Sequence, residues 1–573
     1  MGKYVNPSVT PKIDSYFYID MSRNIRYAKN EFGTKFSFLC ICTPRLFGKT
    51  LLADLVAAYF SKGSDSRSFF SSQECSKDED WDRYLNKVDV IKFDLDAEYK
   101  AAQDKTQLFK NLQSKIVQEL CNEYPSIGLR KNSLLTTAIE RVYTQTGQRF
   151  VFIIDNYDIF WRKMEGEPEL ENLQRTQIGL MNKWFSKKFK EGPIGLAYIT
   201  GILPLPRKVR LSIVKNFDEC TTHNEQLTNI LGFSAYELSD YLNDEEKCCD
   251  LEKMYCGFYY TGEDRYRFGG KAVNPYSINQ AMKYGKLENY WIQQTPENEL
   301  PSLLNPDIPN LEEALLELLE GAELEGYVWE FKNRFERFSN LDDQFAYLVH
   351  YGYLVHNPKW IYCNIPHGME MYRVWFNSLE RSNIFPHLAQ IIRASRELID
   401  AADRCDAEGV AAAYAKSRSL SPDKKKGALW RACFTSQCDY TDEPLGCGQL
   451  NMFALFPLET QKNVLIICLT DKDKVEESMK YFAHRAERVD YNDERTRYFN
   501  YNFVCIYSDS ESETKESPET YKCKIETKQI EPDHHEKLMV IKAKEMEEME
   551  KKRAKEEKER QEMAKNRKIR LLF

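Results

Sequence analysis

Residues 36–60 contain the pattern that most restricts how this chain can fold. FSFLCIC, residues 36–42, is a short and almost continuous apolar run, which is typical of a strand buried on both faces of a parallel sheet. CTPRLFGKT overlaps its end, and the apolar residues of LLADLVAAYF, residues 51–60, then recur with a helical period. A strand, a loop that ends in Gly-Lys-Thr and a helix are the context that a phosphate-binding loop requires. The sequence therefore predicts an α/β fold with a parallel sheet that carries a phosphate site.

The loop departs from the usual GxxxxGK[ST] pattern, because Thr43 stands where the first glycine is expected. In such loops the backbone N–H groups and the helix amino terminus cradle phosphates, the lysine reaches the β and γ oxygens, and the hydroxyl binds Mg²⁺. Gly48, Lys49 and Thr50 retain these parts. We expect ATP and Mg²⁺ as ligands; the alternative is a strand-to-helix turn that only happens to contain Gly-Lys-Thr.

A second apolar run, residues 150–154, ends at Asp155 in the segment RFVFIIDNYDIF. In open α/β sheets, ligands bind outside the carboxyl ends of the strands, so an acid at this position can meet a phosphate loop that is distant in sequence. We expect Asp155 and Thr50 to hold the Mg²⁺ ion together.

These motifs and the segments around them resemble those of the AAA-ATPase-like proteins that typically carry a PD-(D/E)XK nuclease-like domain at the carboxyl end. TPRLFGKT is similar to their RPRRFGK[ST] loop, which also lacks the first glycine, so the resemblance implies that Arg45 and Phe47 take part in nucleotide binding. AYITG is similar to their TGV strand end, and the resemblance implies that Thr200 senses the γ-phosphate. Further segments match in the same order: FYIDMS at Asp20, SIVKNF at Ser212, YCGFY at Gly257, AVNPYSI at Asn274, YW at Tyr290 and GYL at Gly352.

The second motif of that family usually reads DEYD, whereas this chain has Asp155, Asn156, Tyr157 and Asp158. Asparagine is not a base at neutral pH, and the loss of a general base costs about 10²- to 10⁴-fold in rate. Asp158 is the available substitute base; the alternative for it is a structural role as a helix cap or first-turn acid. We therefore expect a weak ATPase at most, in which binding outlasts hydrolysis.

The sequence predicts a different kind of structure in each of four regions of the chain. We predict a nucleotide-binding domain at residues 1–230, a mostly helical region at 231–420, a small α/β domain of restriction-endonuclease-like fold at 421–530 and a charged helical tail at 531–573. The resemblance implies a nuclease core in the third domain, with an acid on one strand and Glu-x-Lys on the next. Aligned on GCGQLNMFAL and VLIICLT, those positions are Asn451, Cys468 and Thr470, and Gln449 replaces an arginine. We expect no nuclease activity; a shifted strand alignment is the alternative.

Composition limits the classes of partner that this chain can be expected to bind. A net charge of −8 over 573 residues gives no global positive field toward nucleic acid or an anionic membrane. Arg265 and Arg267, in the aromatic segment MYCGFYYTGEDRYRF, indicate either a local nucleic-acid contact or a packed hairpin. Apolar runs fall short of the roughly 18 residues of a membrane span, so we expect a cytoplasmic protein. The 16 cysteines include no CxxC pair, which favours reduced thiols and no structural zinc.

Together these patterns predict a Mg-ATP-binding AAA-like protein with slow or absent hydrolysis and an inactive nuclease-like domain. Such a chain would act as a nucleotide-dependent interaction module with a protein partner, and its oligomeric state is left open. The alternatives are a nucleotide-independent scaffold and an ATP-dependent enzyme that processes nucleic acid.

Overall fold

The computed structural model divides into two compact units, Met1–Ala389 and Gln390–Phe573. The residues that the structure describes are 2–10, 20–162, 168–206, 216–221, 233–242, 244–259, 271–319, 321–328, 331, 333, 339–357, 361–366, 368–420, 438–441, 451–457, 463–470, 472–486, 500–508 and 521–529. The predicted charged tail at 531–573 lies outside them, as do Ser212, Arg265, Arg267 and Gln449.

The first unit contains a sheet of five parallel strands, which confirms the predicted α/β class. The strands are β1 (Phe38–Cys42), β2 (Asp89–Asp94), β3 (Phe150–Asp155), β4 (Ile194–Gly201) and β5 (Asp218–Thr221). They lie side by side in the order β2–β3–β4–β1–β5. Because β1, β3 and β4 are buried along their whole length, their sequences do not alternate between apolar and polar residues.

Helices alternate with these strands. They are α1 (Arg23–Glu31), α2 (Lys49–Phe60), α3 (Arg67–Phe70), α4 (Leu95–Ala101), α5 (Leu108–Glu123), α6 (Leu135–Thr146), α7 (Ile159–Arg162), α8 (Pro168–Trp184) and α9 (Lys187–Glu191), with 3₁₀ turns at Glu74–Lys77, Lys105–Gln107 and Pro125–Ile127. Leu52 and Val56 of α2 belong to the same buried cluster as Leu39 of β1 and Val151 of β3. The phosphate loop is therefore fixed at both ends, by a central strand and by a helix packed in the core.

Residues 233–381 of the first unit are called the middle region below. Its helices are α10 (Ala235–Leu242), α11 (Glu245–Tyr255), α12 (Pro275–Tyr284), α13 (Tyr290–Gln294), α14 (Glu299–Leu303), α15 (Leu311–Leu319), α16 (Leu341–Tyr351) and α17 (Met369–Arg381). Its strands are β6 (Phe233–Ser234), β7 (Cys256–Tyr259), β8 (Lys271–Val273), β9 (Leu324–Glu325), β10 (Val355–Asn357) and β11 (Tyr362–Asn364). They form two small antiparallel sheets, in the orders β6–β8–β7 and β10–β11–β9. Helices make up most of this region, and the sequence analysis did not predict its two small sheets.

The second unit is also α/β. Its helices are α18 (Pro386–Asp403), within which the division between the units falls, α19 (Ala407–Leu420) and α20 (Val475–Ala486), with a 3₁₀ turn at Lys472–Lys474. Its sheet contains β12 (Cys438–Thr441), β13 (Asn451–Pro457), β14 (Asn463–Thr470), β15 (Asn500–Ser508) and β16 (Tyr521–Gln529), in chain order. Only the β14–β15 pair is parallel among these neighbours. Leu398 and Val410 pack with Val504 and Ile506 in its core. Among the residues described, no helix combines the length and apolar character needed to cross a bilayer.

Candidate nucleotide-binding site

The predicted site residues come together at the carboxyl end of the parallel sheet. β4 lies between β1 and β3, and its register places Thr200 opposite Ile41, the penultimate residue of β1. The Thr200 hydroxyl donates a hydrogen bond to Oδ1 of Asp155, the last residue of β3. The phosphate loop leaves β1 at the same edge, so the order of the strands brings together groups that are far apart in sequence.

The backbone of the phosphate loop explains why the first glycine is dispensable. Thr43 is not among the residues with positive φ, so its backbone does not need glycine. Its N–H instead donates to the Gly201 carbonyl at 3.1 Å, which extends the pairing of β1 with β4 by one residue. The left-handed positions are Leu46, with φ 66°, and Gly48, with φ 79°. Gly48 is the residue before α2, where the chain turns sharply into the helix.

Lys49 lies inside this loop and is buried. Its ammonium donates to the carbonyls of Thr43, at 2.8 Å, and Pro44, at 2.5 Å. Burial lowers the pKa of Lys49 to about 7, against the opposing influence of Asp158. Arg162 also lowers this pKa. Within the described residues the Lys49 ammonium has two hydrogen-bond acceptors for three N–H donors, and with other cations nearby it is well placed to receive an anion.

Asp155 carries the second half of the candidate site. It is 1% exposed, and burial raises the pKa of its carboxyl group, while hydrogen bonding to the Thr200 and Thr50 hydroxyls opposes that rise. Its Oδ2 atom is buried and has no hydrogen-bond partner within normal distance in the described part of the chain. A buried carboxylate oxygen without a partner is costly, and a metal ion bound to it would remove that cost.

The oxygens of Thr50 and Asp155 suit Mg²⁺. This ion prefers oxygen ligands, keeps several waters and is usually held by one or two carboxylates together with substrate phosphates. In keeping with such a sparse site, the described residues contain no group of three or more His, Cys, Asp or Glu side chains placed to hold a metal. The donor set therefore fits a magnesium ion that arrives with a nucleotide.

Asn156 is held by two charged neighbours. Its Nδ2 donates to Asp94 Oδ1 at 3.1 Å, and its Oδ1 accepts from Arg162 Nη2 at 3.2 Å. A guanidinium can only donate and a carboxylate can only accept. The amide nitrogen of Asn156 must therefore face Asp94, and its oxygen must face Arg162. The side chain that stands in place of the usual glutamate is thus oriented, but it offers no basic group.

Asp158 has contacts typical of a structural residue. It is fully buried, and its Oδ2 accepts from the backbone N–H groups of Ile202 and Leu203, both at 2.8 Å. Its Oδ1 lies 3.2 Å from Nε of Arg162. These contacts tie the end of β4 to α7. They favour the structural alternative for Asp158, whose role as a base stays a prediction.

The outer side of the phosphate loop is packed against the middle region. Arg45 Nη2 lies 2.8 Å from Glu299 Oε1. The ring of Phe47 meets that of Phe258 edge to face, with centroids 4.9 Å apart. Phe47 is buried, so it supports the loop rather than facing a ligand. Its predicted contribution to nucleotide binding is therefore indirect in this structure.

Two of the middle-region segments that the resemblance singled out, at Asn274 and at Tyr290, meet at one buried carboxylate. Glu370 accepts hydrogen bonds from the Ser277 hydroxyl, at 2.8 Å, and from the backbone N–H groups of Tyr290, at 2.9 Å, and Trp291, at 3.0 Å. Asn274 Nδ2 is a fourth donor, at 3.4 Å. These segments therefore serve the architecture of the middle region. Glu370 itself was not singled out from the sequence.

The comparisons with known proteins address the amino-terminal part. The family model described as "Predicted AAA-ATPase" matches residues 12–209, which is less than half of the chain, and the match does not reach residues 421–530. Among solved structures, the Aeropyrum pernix ORC2 protein, in ADPNP-ADP complexes, is similar with 12% identity and a TM-score of 0.29 over 64% of this chain and 95% of that chain. That score is too low to support conclusions. The search of curated proteins found no match. The matched residues 12–209, which resemble that family, contain β1 to β4 of the parallel sheet, and β5 lies beyond the match.

Proposed function

We propose that the AAA-ATPase-like domain binds Mg-ATP and hydrolyses it slowly or not at all, and that the bound state controls contact with a protein partner. One observation carries the proposal: Lys49 and Asp155 lie at the carboxyl ends of β1 and β3, the two strands that flank β4 in one sheet, and the buried Oδ2 of Asp155 has no hydrogen-bond partner within normal distance among the described residues. The ammonium of Lys49 suits the negative phosphates of a magnesium nucleotide, and the carboxylate of Asp155 suits its positive metal ion.

Each group has a defined task in this proposal. Lys49 exchanges its two carbonyl contacts for the β and γ phosphates, and the Gly48 backbone and the start of α2 supply N–H donors. Thr50 and Asp155 hold Mg²⁺, which neutralises phosphate charge when bound. Thr200 orients the carboxylate through its hydroxyl hydrogen bond, in addition to its predicted role near the γ-phosphate.

Neutralising Asp155 is the first test. We expect Asp155→Asn to weaken Mg-ATP binding about 10-fold in isothermal titration, because a charged magnesium ligand is lost. We expect unfolding at pH 8 to need at least as much denaturant as in the wild type. The sign follows from burial: a carboxyl whose pKa is raised in the folded state costs stability once the pH exceeds that pKa, and the amide removes the cost.

Asp89 provides the matched control. It is also a fully buried aspartate, but it is the first residue of β2 and so lies at the amino ends of the strands, away from the candidate site. It pairs with Lys62 at 2.7 Å. Asp89→Asn should therefore lower stability and leave Mg-ATP binding unchanged. If wild-type protein gives no heat with Mg-ATP, the nucleotide-independent scaffold becomes the better description.

Slow hydrolysis is proposed because Asn156 supplies no base. We expect Asn156→Glu to raise the rate of phosphate release from saturating Mg-ATP about 10-fold. A restored base can give more, about 10²-fold or above, but the new carboxylate would face that of Asp94. Asn156→Gln keeps the amide and should stay slow. Equal rates in the two variants would show that this position does not limit hydrolysis.

We also propose that residues 421–530 form an inactive nuclease-like domain. Support comes from the pairing of β13 with β14, in which Asn451 lies opposite Leu469 and Met452 opposite Cys468. The three aligned positions, Asn451, Cys468 and Thr470, are thereby neighbours on two paired strands. None of them is a carboxylate or a lysine, so they lack the ligands that Mg²⁺ needs.

A further inference from the structure

We propose that Glu299 regulates the nucleotide site by holding Arg45 on the middle region, and that the phosphates of Mg-ATP draw Arg45 away from it. The inference rests on the proposed function and adds a regulatory contact to it. In this view the middle region responds to nucleotide because one side chain of the phosphate loop changes partner.

Glu299 is built into the protein to hold this arginine. It is 8% exposed and begins α14. One carboxylate oxygen lies 2.8 Å from Arg45 Nη2, and the other accepts a hydrogen bond from the Tyr353 hydroxyl at 2.7 Å. The two oxygens therefore join the phosphate loop to the segment that follows α16. An ion pair whose carboxylate is shielded in this way is worth more than a fully exposed pair, and Arg45 leaves it only for another anion.

Arg45 has capacity left for another ligand. Its Nε atom is buried and has no hydrogen-bond partner in the described part of the chain, although its side chain keeps 30% exposure. Arg45 also lowers the pKa of Lys49, so the two cations of the loop influence each other. A polyphosphate bound by Lys49 would attract Arg45 more strongly than one carboxylate does, because it carries several charges.

Other contacts between the phosphate loop and the middle region could transmit the movement of Arg45. A Cβ atom built on Gly352 would lie 2.7 Å from Cβ of Pro44 and 3.0 Å from the ring of Trp291. Gly352 has φ +88°, so close approach and backbone conformation both require glycine there. Trp291 also packs edge to face on Tyr353, with centroids 5.8 Å apart. Movement of Arg45 therefore releases one of several contacts that hold the loop and the middle region together.

Titration calorimetry with Mg-ATP tests this directly. We expect Glu299→Gln to bind Mg-ATP about 10-fold more tightly than the wild type, because the nucleotide no longer has to break the ion pair. The matched control is Glu297→Gln, two residues earlier, where an exposed carboxylate pairs with Arg381 at 3.1 Å. It should bind like the wild type. Tyr353→Phe removes the other hydrogen bond to Glu299 but keeps its charge, so Glu299 depends more on Arg45; this variant should weaken Mg-ATP binding about 3-fold and serves if Glu299→Gln does not fold.

A double-mutant cycle distinguishes the loss of the Arg45–Glu299 contact from a general effect of the Glu299 charge on Mg-ATP affinity. In the Arg45→Gln background, Glu299→Gln should alter affinity by less than about 2-fold, because the partner is already missing. Equal tightening in both backgrounds would mean that Glu299 acts only through its charge, which overturns the proposal. Unchanged or weaker binding by Glu299→Gln, with normal wild-type binding, also overturns it. A wild type that binds no Mg-ATP removes this inference and the proposed function together.

Hydrogen exchange measured by mass spectrometry provides the second readout. Mg-ATP should increase exchange in wild-type peptides that cover α14 and the end of α16, since Glu299 in α14 loses Arg45 and then holds Tyr353, just after α16, less firmly. Nucleotide-free Glu299→Gln should already show that increase. Exchange that is unaffected by the substitution would contradict the proposed link to the middle region.

Discussion

Replacing Lys49 by alanine is expected to weaken Mg-ATP binding at least about 100-fold while leaving the fold as stable as before. The loss follows from the two phosphate contacts assigned to the ammonium, since hydrogen bonds to charged groups contribute about 1.5–3 kcal/mol each. Isothermal titration at pH 7.5 measures it. A variant that bound normally would contradict the assignment of this loop.

The stability part of that prediction follows from the burial of the Lys49 ammonium in the folded chain. The pKa of Lys49 is about 7 in the folded protein, against 10.5 as its ordinary value. Between these values the unfolded chain binds the proton and the folded chain does not, so stability rises with pH across this window. Below about pH 7 the buried cation carries its full cost. Alanine removes that cost, and chemical denaturation should show no loss for Lys49→Ala at neutral pH.

Lys87 supplies the matched control for Lys49. Its ammonium also donates to two backbone carbonyls, those of Asp82, at 2.8 Å, and Arg83, at 3.4 Å, but it is exposed and far from the loop in sequence. Lys87→Ala removes the same kind of contact without touching the candidate site. It should bind Mg-ATP like the wild type, so a loss specific to Lys49 would reflect phosphate recognition.

Local sequence was enough to predict the elements that hold the candidate site. The apolar runs before Thr43 and at residues 150–154 are buried strands, and the helical repeat after Thr50 is α2. Such patterns are readable because a strand buried on both faces needs continuous apolar residues and a packed helix needs a periodic stripe. Asp155 could be proposed for the same reason, since it ends one of these strands.

The residues that orient the site side chains could not be predicted from local sequence patterns. Arg162 and Glu299 reach it from segments with no motif, and only the folded chain brings them to Asn156 and Arg45. Asp94 had a weak signal, because it ends β2 beside β3 and could have been placed at the same edge of the sheet. The missing glycine at Thr43 was explained from the sequence only by resemblance, whereas its physical reason is the backbone pairing with Gly201.

The middle region offers the largest expected effect on stability, at Glu370. We expect Glu370→Ala to lower the free energy of unfolding by about 4 kcal/mol. Four donors converge on this carboxylate, and each buried donor left without an acceptor costs about 1–3 kcal/mol. Urea denaturation monitored by circular dichroism measures the loss. Glu288→Ala, an exposed neighbour of Tyr290, should change stability by less than about 0.5 kcal/mol.

Glu370 also predicts a dependence on pH whose sign separates it from an ordinary surface acid. Burial raises the pKa of Glu370 to about 7, from an ordinary value of 4.5, although its four donors oppose the rise. Between these values the folded chain holds a proton that the unfolded chain has lost. The protonation of Glu370 therefore contributes fully to the free energy of unfolding below pH 4.5. This contribution, near 3 kcal/mol in total, is lost as the pH rises through about 7. Glu370→Gln cannot titrate, so its stability should fall less steeply than that of the wild type between pH 5 and 8. Parallel curves for the two proteins would mean that Glu370 is ionised throughout, held by its donors as a permanent carboxylate.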